Sequence, residues 1–179
     1  MKLVWIIATV ILISIISINF KVIDYDSKWK QTDKFIADGL PKSALKVVDE
    51  IYKSAKDESN SPQIIKSLIY RISLKSKFQE DRVLKSISFF EKEIQNSSEI
   101  EKQILLSLTA SLYQEYYIEN RYKINSRNTL ENYKNDDVST WDALSFENKI
   151  KSLYLQSIEN KSFLKEVPLE EYSLVLNEG

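Results

Sequence analysis

An all-α fold of antiparallel helical hairpins is predicted from three observations. The chain of 179 residues holds only two Gly and three Pro, too few for a fold built on β-turns. Apolar residues recur at i, i+3, i+4 and i+7 along most of its length, the period of a helix with one buried face. Start and stop residues punctuate those stripes every dozen residues or so.

The first element is a targeting segment. Leu3 to Phe20 is apolar except for Thr9, Ser14, Ser17 and Asn19, and it follows Lys2. A charged start and an apolar run match an export signal. As a helix the run is about 27 Å long, enough to span a bilayer. Residues 1–22 are therefore a signal peptide or an uncleaved signal anchor, and both readings stand. Either one places the rest of the chain outside the cytoplasm, in the periplasm or anchored in a membrane and facing outward. Membrane contact, where it occurs, runs through Leu3 to Phe20.

Residues 23–179 read as one helical domain, a size that can bury a core unaided. The first helix spans about Ser27 to Asp38, with Ser27 as cap, Trp29 and Ile36 on one face and Gly39 as stop. The second opens at Pro41, a good first-turn residue. Its stripe is Ala44, Leu45, Val48, Ile51, Tyr52 and Ala55. Ser61-Pro62 opens the third, with Ile65, Leu68, Ile69 and Ile72. Asp81 caps the fourth, with Leu84, Ile87, Phe90 (or Phe89) and Ile94. Ser98 and Glu101 form a capping box for the fifth. That helix carries Ile104, Leu105, Leu108, Leu112 and Tyr116 and ends near Asn120.

An irregular segment follows at about 121–144, rich in Asn, Asp, Ser and Thr, with Tyr122, Ile124, Tyr133 and Trp141 as possible pins. The sixth helix resumes near Ser145 with Phe146, Ile150, Leu153, Tyr154 and Ile158. Pro168 opens a short final helix through Leu176. Short connections make sequential helices antiparallel neighbours. The stripes beginning near Ala44 and Val83 lie about 40 residues apart, which resembles the tetratricopeptide class without its consensus.

Composition excludes several functions. There is no Cys and no His, so disulfides, thiolate chemistry and the commonest metal ligand and general base are all missing. No metal or cofactor is expected. The 25 basic and 26 acidic residues are spread along the chain, which argues against a nucleic-acid footprint. Ser43-Ala44-Leu45-Lys46 matches the S-x-x-K pattern, but in a chain this rich in Ser and Lys a chance match is expected. An EF-hand register from Asp136 to Glu147 fails: Val138 stands at a ligand position and Trp141 where Gly is needed. Asp136-Asp137 and Glu170-Glu171 read as a solvated loop and a helix start. No catalytic residue is assigned, and the chain is expected not to be an enzyme.

The most distinctive local feature is the aromatic set Tyr113, Tyr116, Tyr117 and Tyr122 with Arg121. Tyr and Arg are frequent anchors of protein interfaces, which makes these five a candidate protein-binding patch. The competing expectation is that the rings pack the end of the fifth helix against the irregular segment.

Several runs carry a resemblance. They are Trp29 followed by Gly39-Leu40-Pro41-Lys42-Ser43-Ala44-Leu45, Ile51-Tyr52 and Ala55-Lys56; Ile65-Lys66 with Tyr70-Arg71; Leu112-Tyr113, Tyr116-Tyr117 and Asn120-Arg121-Tyr122-Lys123-Ile124 with Arg127 and Thr129; and Trp141-Asp142, Phe146, Ile150, Tyr154 and Ser157. Together they resemble the N-terminal helical region of large alpha-2-macroglobulin-like (MG2-domain-containing) proteins of the Bacteroidetes. The likeness covers the chain after the targeting segment. It implies an exported envelope protein related to endopeptidase inhibitors that trap proteases by collapse after bait cleavage. This sequence carries no macroglobulin sandwich domain, no bait region and no Cys-containing thioester motif. The resemblance thus implies the leading module of such a protein, as a fragment or split product. Its expected partners are another protein or the downstream domains of a larger chain. A free-standing, membrane-anchored helical adaptor is the alternative.

Overall fold

A computed structural model describes residues 23–79, 81–127 and 136–176. The segment 1–22 lies outside the described residues. All regular structure among them is helical, without strands. The helices are α1 (Tyr25–Ala37), α2 (Pro41–Asp57), α3 (Ser61–Lys75), α4 (Arg82–Gln95), α5 (Glu99–Asn125), α6 (Ala143–Ser157), α7 (Lys161–Glu166) and α8 (Ser173–Leu176), with 3₁₀ turns at Val138–Thr140 and Leu169–Tyr172. Sequential pairs pack as hairpins from α1 to α3 and again from α4 to α6, and α8 returns onto α3.

The first two connections use one device. Gly39 has φ +68°, donates its N–H to Ile36 O, and Leu40 donates to Phe35 O. This closes α1 with a Schellman motif. After α2, Ser59 has φ +53°, donates to Lys56 O, and Asn60 donates to Ala55 O, the same motif without glycine. A left-handed non-glycine residue costs about 1–2 kcal/mol. Ser59→Gly is therefore expected to stabilise the protein by about 1 kcal/mol, raising the melting temperature by about 2–4 °C for a chain of this size. A calorimetric scan that showed no rise would count against the strain assigned to this turn.

Several start signals are corrected. Asp24, not Ser27, caps α1: its Oδ1 accepts from Ser27 N at 3.1 Å. Asn60, not Ser61, caps α3, accepting from Gln63 N at 3.3 Å. Ser98 makes no side-chain cap bond, so the capping box does not form. Glu101 instead sits buried and accepts a 2.5 Å hydrogen bond from Ser61 Oγ, on α3. A tertiary partner outcompetes the local one, because a buried carboxylate needs a donor more than an exposed helix end does. Asp81 precedes α4 with φ +54° and no side-chain cap bond.

Two boundaries also move. Helix α5 runs on to Asn125, past the expected stop at Asn120, so the irregular segment begins later than residue 121. Ile124, fully buried, rewards the extra turn. Helix α6 starts at Ala143, capped by Asp142, which accepts from Ser145 N at 2.8 Å. Helix α7 was not anticipated; Asn160 caps it.

Two apolar clusters form the core. One gathers Trp29, Ala44, Val47, Val48, Ile51 and Leu74 from α1, α2 and α3. The larger takes Ile64 and Leu68 of α3, Val83, Ile87 and Phe90 of α4, and much of α5 and α6 around Tyr113 and Phe146. Helix α3 serves both and is buried at every position from Gln63 to Leu68. Even Lys66 is only 9% exposed, with its ammonium 4.6 Å from the Trp29 ring centroid.

Candidate functional site

The five residues singled out by sequence do not share one surface. Tyr113 is 1% exposed, stacked on Trp141 with ring centroids 5.6 Å apart. Tyr116 and Tyr117 pack on Phe146 at 5.8 and 5.9 Å. Tyr113 belongs to the core, and Tyr116 and Tyr117, partly buried, pack against it, the arrangement that α5 and α6 need to close against each other. Arg121 and Tyr122 point the other way. Tyr122 is 82% exposed, and the Arg121 guanidinium lies 5.0 Å from its ring centroid.

The returning chain is pinned by Arg127. Its guanidinium donates to Ser139 O at 2.7 Å and to Trp141 O. Asp137 caps the short turn between them, accepting from Ser139 N at 2.9 Å. Hydrogen bonding from the Ser139 side chain first, and then from its backbone N–H, holds the Asp137 carboxyl below the usual carboxylate range. Trp141 is thus delivered onto Tyr113, whose hydroxyl donates to Glu91 Oε1 at 2.9 Å. Lys149 of α6 reaches the same carboxylate at 2.8 Å. One carboxylate on α4 therefore ties α5 and α6 together.

Burial raises the Tyr113 hydroxyl above its ordinary value, and the Glu91 charge adds to the effect. Tyr25, which donates to Glu58, and Tyr52, beside Glu93, are raised in the same way, burial first and the neighbouring carboxylate second. In each, the folded state holds the proton more tightly than the unfolded chain. The resulting stability is complete below about pH 10 and is lost as the pH climbs above it. Urea midpoints are expected to hold steady from pH 8 to 9.5 and then fall, and Tyr113→Phe to flatten that fall. An equally steep decline in the variant would remove Tyr113 from the account.

A second surface was not flagged by the stripes. Arg71 on α3 lies between two rings, its guanidinium carbon 4.8 Å from the Tyr52 centroid on α2 and 4.6 Å from Phe89 on α4. Lys75, one turn further, sits 5.9 Å from the same Phe89 ring. Asp49 Oδ1 is 2.9 Å from Arg71 Nε; the distance makes an ion pair, while the angle is too poor for a hydrogen bond, and Arg71 Nε and Nη1 are buried without an acceptor. The Lys75 ammonium is held below its usual range by burial first and then by the Arg71 charge. Sequence did offer a signal: Arg71 and Lys75 fall at i+3 or i+4 steps from Leu68, where an apolar stripe should continue.

Further along the same helices the carboxylates already have partners, Ser61 for Glu101 among them. Lys56 pairs with Glu93 at 3.4 Å, and the charges of Glu93 and Glu101 both bear on Tyr52. A separate cavity of about 300 Å³ opens between the start of α5 and the end of α6, lined by Glu99, Lys102, Gln103, Leu106, Gln156 and Glu159. Gln103 Oε1 is buried there without a partner, while its amide nitrogen donates to Glu99 at 2.9 Å.

Among the described residues no group of three or more acidic side chains converges as a metal site. Ser43 and Lys46 lie on α2, and no hydrogen bond joins their side chains among those residues. No helix among the described residues is long and apolar enough to cross a membrane. Comparison with family models, curated proteins and solved structures gave no match to this chain.

Proposed function

We propose that this chain is a non-catalytic helical interaction and scaffold module, exported from the cytoplasm and built as a non-consensus tetratricopeptide-like array. In that reading it is the leading part of an alpha-2-macroglobulin-like endopeptidase inhibitor of the cell envelope. The observation that carries the interaction role is the face shared by α2, α3 and α4, where Arg71 and Lys75 ride on the rings of Tyr52 and Phe89 with Asp49 as the carboxylate paired to Arg71. A cationic face of this kind selects partners by charge.

The repeat character rests on spacing. Lys56 meets Glu93, and Ser61 meets Ser98, each at a separation of 37 residues. That shared separation supports reading them as near-equivalent positions of successive hairpins, as in quasi-one-dimensional stacks. Encoded macroglobulin sandwich domains are expected in the same or the adjacent reading frame after Gly179. Finding none there would remove the inhibitor part of the reading.

The apolar run Leu3 to Phe20 favours a second reading, a free-standing adaptor held in the membrane by that segment. Mass spectrometry of the native N-terminus separates the two. A mature chain beginning near residues 18–24 eliminates the anchored form. A Ser–Lys hydrolase is the remaining rival; an activity screen is expected to show no turnover that Ser43→Ala abolishes.

A further inference from the structure

We propose that the cationic face around Arg71 and Lys75, where α3 meets α2 and α4, binds the carboxylates of an acidic peptide segment. The proposal deepens the interaction reading above and rests on it. Its starting point is a charge imbalance. Arg71 and Lys75 are on one face of α3, and Phe89 lies against both. Lys85, an exposed residue one turn before Phe89 on α4, adds its charge at Lys75. The one carboxylate paired with this group is Asp49. Among the described residues neither Lys75 nor Lys85 makes an ion pair. Like charges held together on a platform repel one another unless an anion joins them.

The platform also limits the anion. Asp49 stands against the guanidinium and opposes any incoming negative charge. A singly charged carboxylate meets less of that repulsion than a doubly charged phosphate monoester. Tyr52 and Phe89 flank the guanidinium with apolar rings, which suits the methylenes of Glu. The cation row continues at the same end of the hairpin, where Lys42 of α2 lies 5.6 Å from the centroid of Phe78, an exposed ring. Successive cations along one face match successive carboxylates along an extended chain, whereas a single free acid would engage one.

The test is a titration of the full chain in detergent, using fluorescently labelled hexaglutamate and following anisotropy. Hexaglutamine and inorganic phosphate serve as comparison probes. Saturable binding of hexaglutamate is expected, with none of hexaglutamine and a loss of affinity as salt rises. Lys75→Glu and Lys85→Glu are each expected to weaken binding about tenfold or more. Lys85 is exposed, so its variant keeps the fold, which circular dichroism checks. Unchanged affinity in a folded Lys85→Glu Lys75→Glu double variant overturns the proposal. So does displacement of the peptide by phosphate at equal concentration, which reassigns the site to phosphate, or an absence of any binding. A chain that fails these tests yet still lies ahead of sandwich domains keeps the scaffold reading and loses only this site.

Discussion

Phe146→Ala is expected to lower the unfolding free energy by about 3–5 kcal/mol, the largest effect of any single truncation in the C-terminal half. Phe146 is fully buried on α6. Its ring meets Tyr113, Tyr116, Tyr117 and Trp141 with centroids 5.5 to 6.3 Å apart. These four rings come from α5 and from the chain that returns to α6. Removing it leaves a cavity walled by rigid aromatics that cannot collapse inward, which places the cost at the upper part of the range. Trp141 reports the change directly, because it stacks on Tyr113 beside the void. Chemical denaturation followed by tryptophan emission should show a lower midpoint with a similar slope. A loss under 1.5 kcal/mol would mean that α5 and α6 are held chiefly by other contacts, such as the Glu91 junction.

Trp29→Ala is expected to cost about 3–5 kcal/mol as well, through different interactions. Trp29 anchors α1 to the α2–α3 hairpin. Its indole N–H donates to Gln63 Oε1 at 2.7 Å, its ring meets Tyr70 at 4.8 Å, and the Lys66 ammonium rests on its face. Truncation leaves the buried Gln63 carbonyl without this donor and uncovers a buried cation, so polar penalties join the lost apolar area. Trp29→Phe separates these contributions: it retains the ring and loses the donor, and about 1–2 kcal/mol is expected. Helix α3 contributes Leu74 to the cluster around Trp29 and Ile64 and Leu68 to the one around Phe146. Both variants should therefore shift one cooperative transition. Two separate transitions in either variant would show that the clusters unfold independently.

How much of this was legible depends on the physical range of each interaction. The stripes of α2 and α4 were readable because one face of each helix is buried and the other solvated, so period and burial coincide. Pro41 and Gly39 were readable because their backbone preferences act within a residue or two. Helix α3 misled. Its stripe named Ile65 and Leu68 correctly, yet Gln63, Lys66 and Ser67 are buried too, because neighbours cover the helix on several sides. The Ser98 and Glu101 box looked sound locally and lost to Ser61, forty positions away.

The same division holds for the candidate sites. Tyr113, Tyr116 and Tyr117 were visible as a group in sequence, but only the return of Trp141 and Phe146 decided that they face inward, leaving Arg121 and Tyr122 outside. Arg71 was visible only as a cation in an apolar row; the rings that flank it come from α2 and α4, and Glu91 joins α5 to α6 from α4. The sequence alone determined helix type and, for most helices though not α7, their order and approximate ends, since hydrophobic periodicity, caps and breakers act over one or two turns. Tertiary structure decided which polar groups are buried and which cations share a ring, because those depend on side chains brought together across dozens of residues by packing.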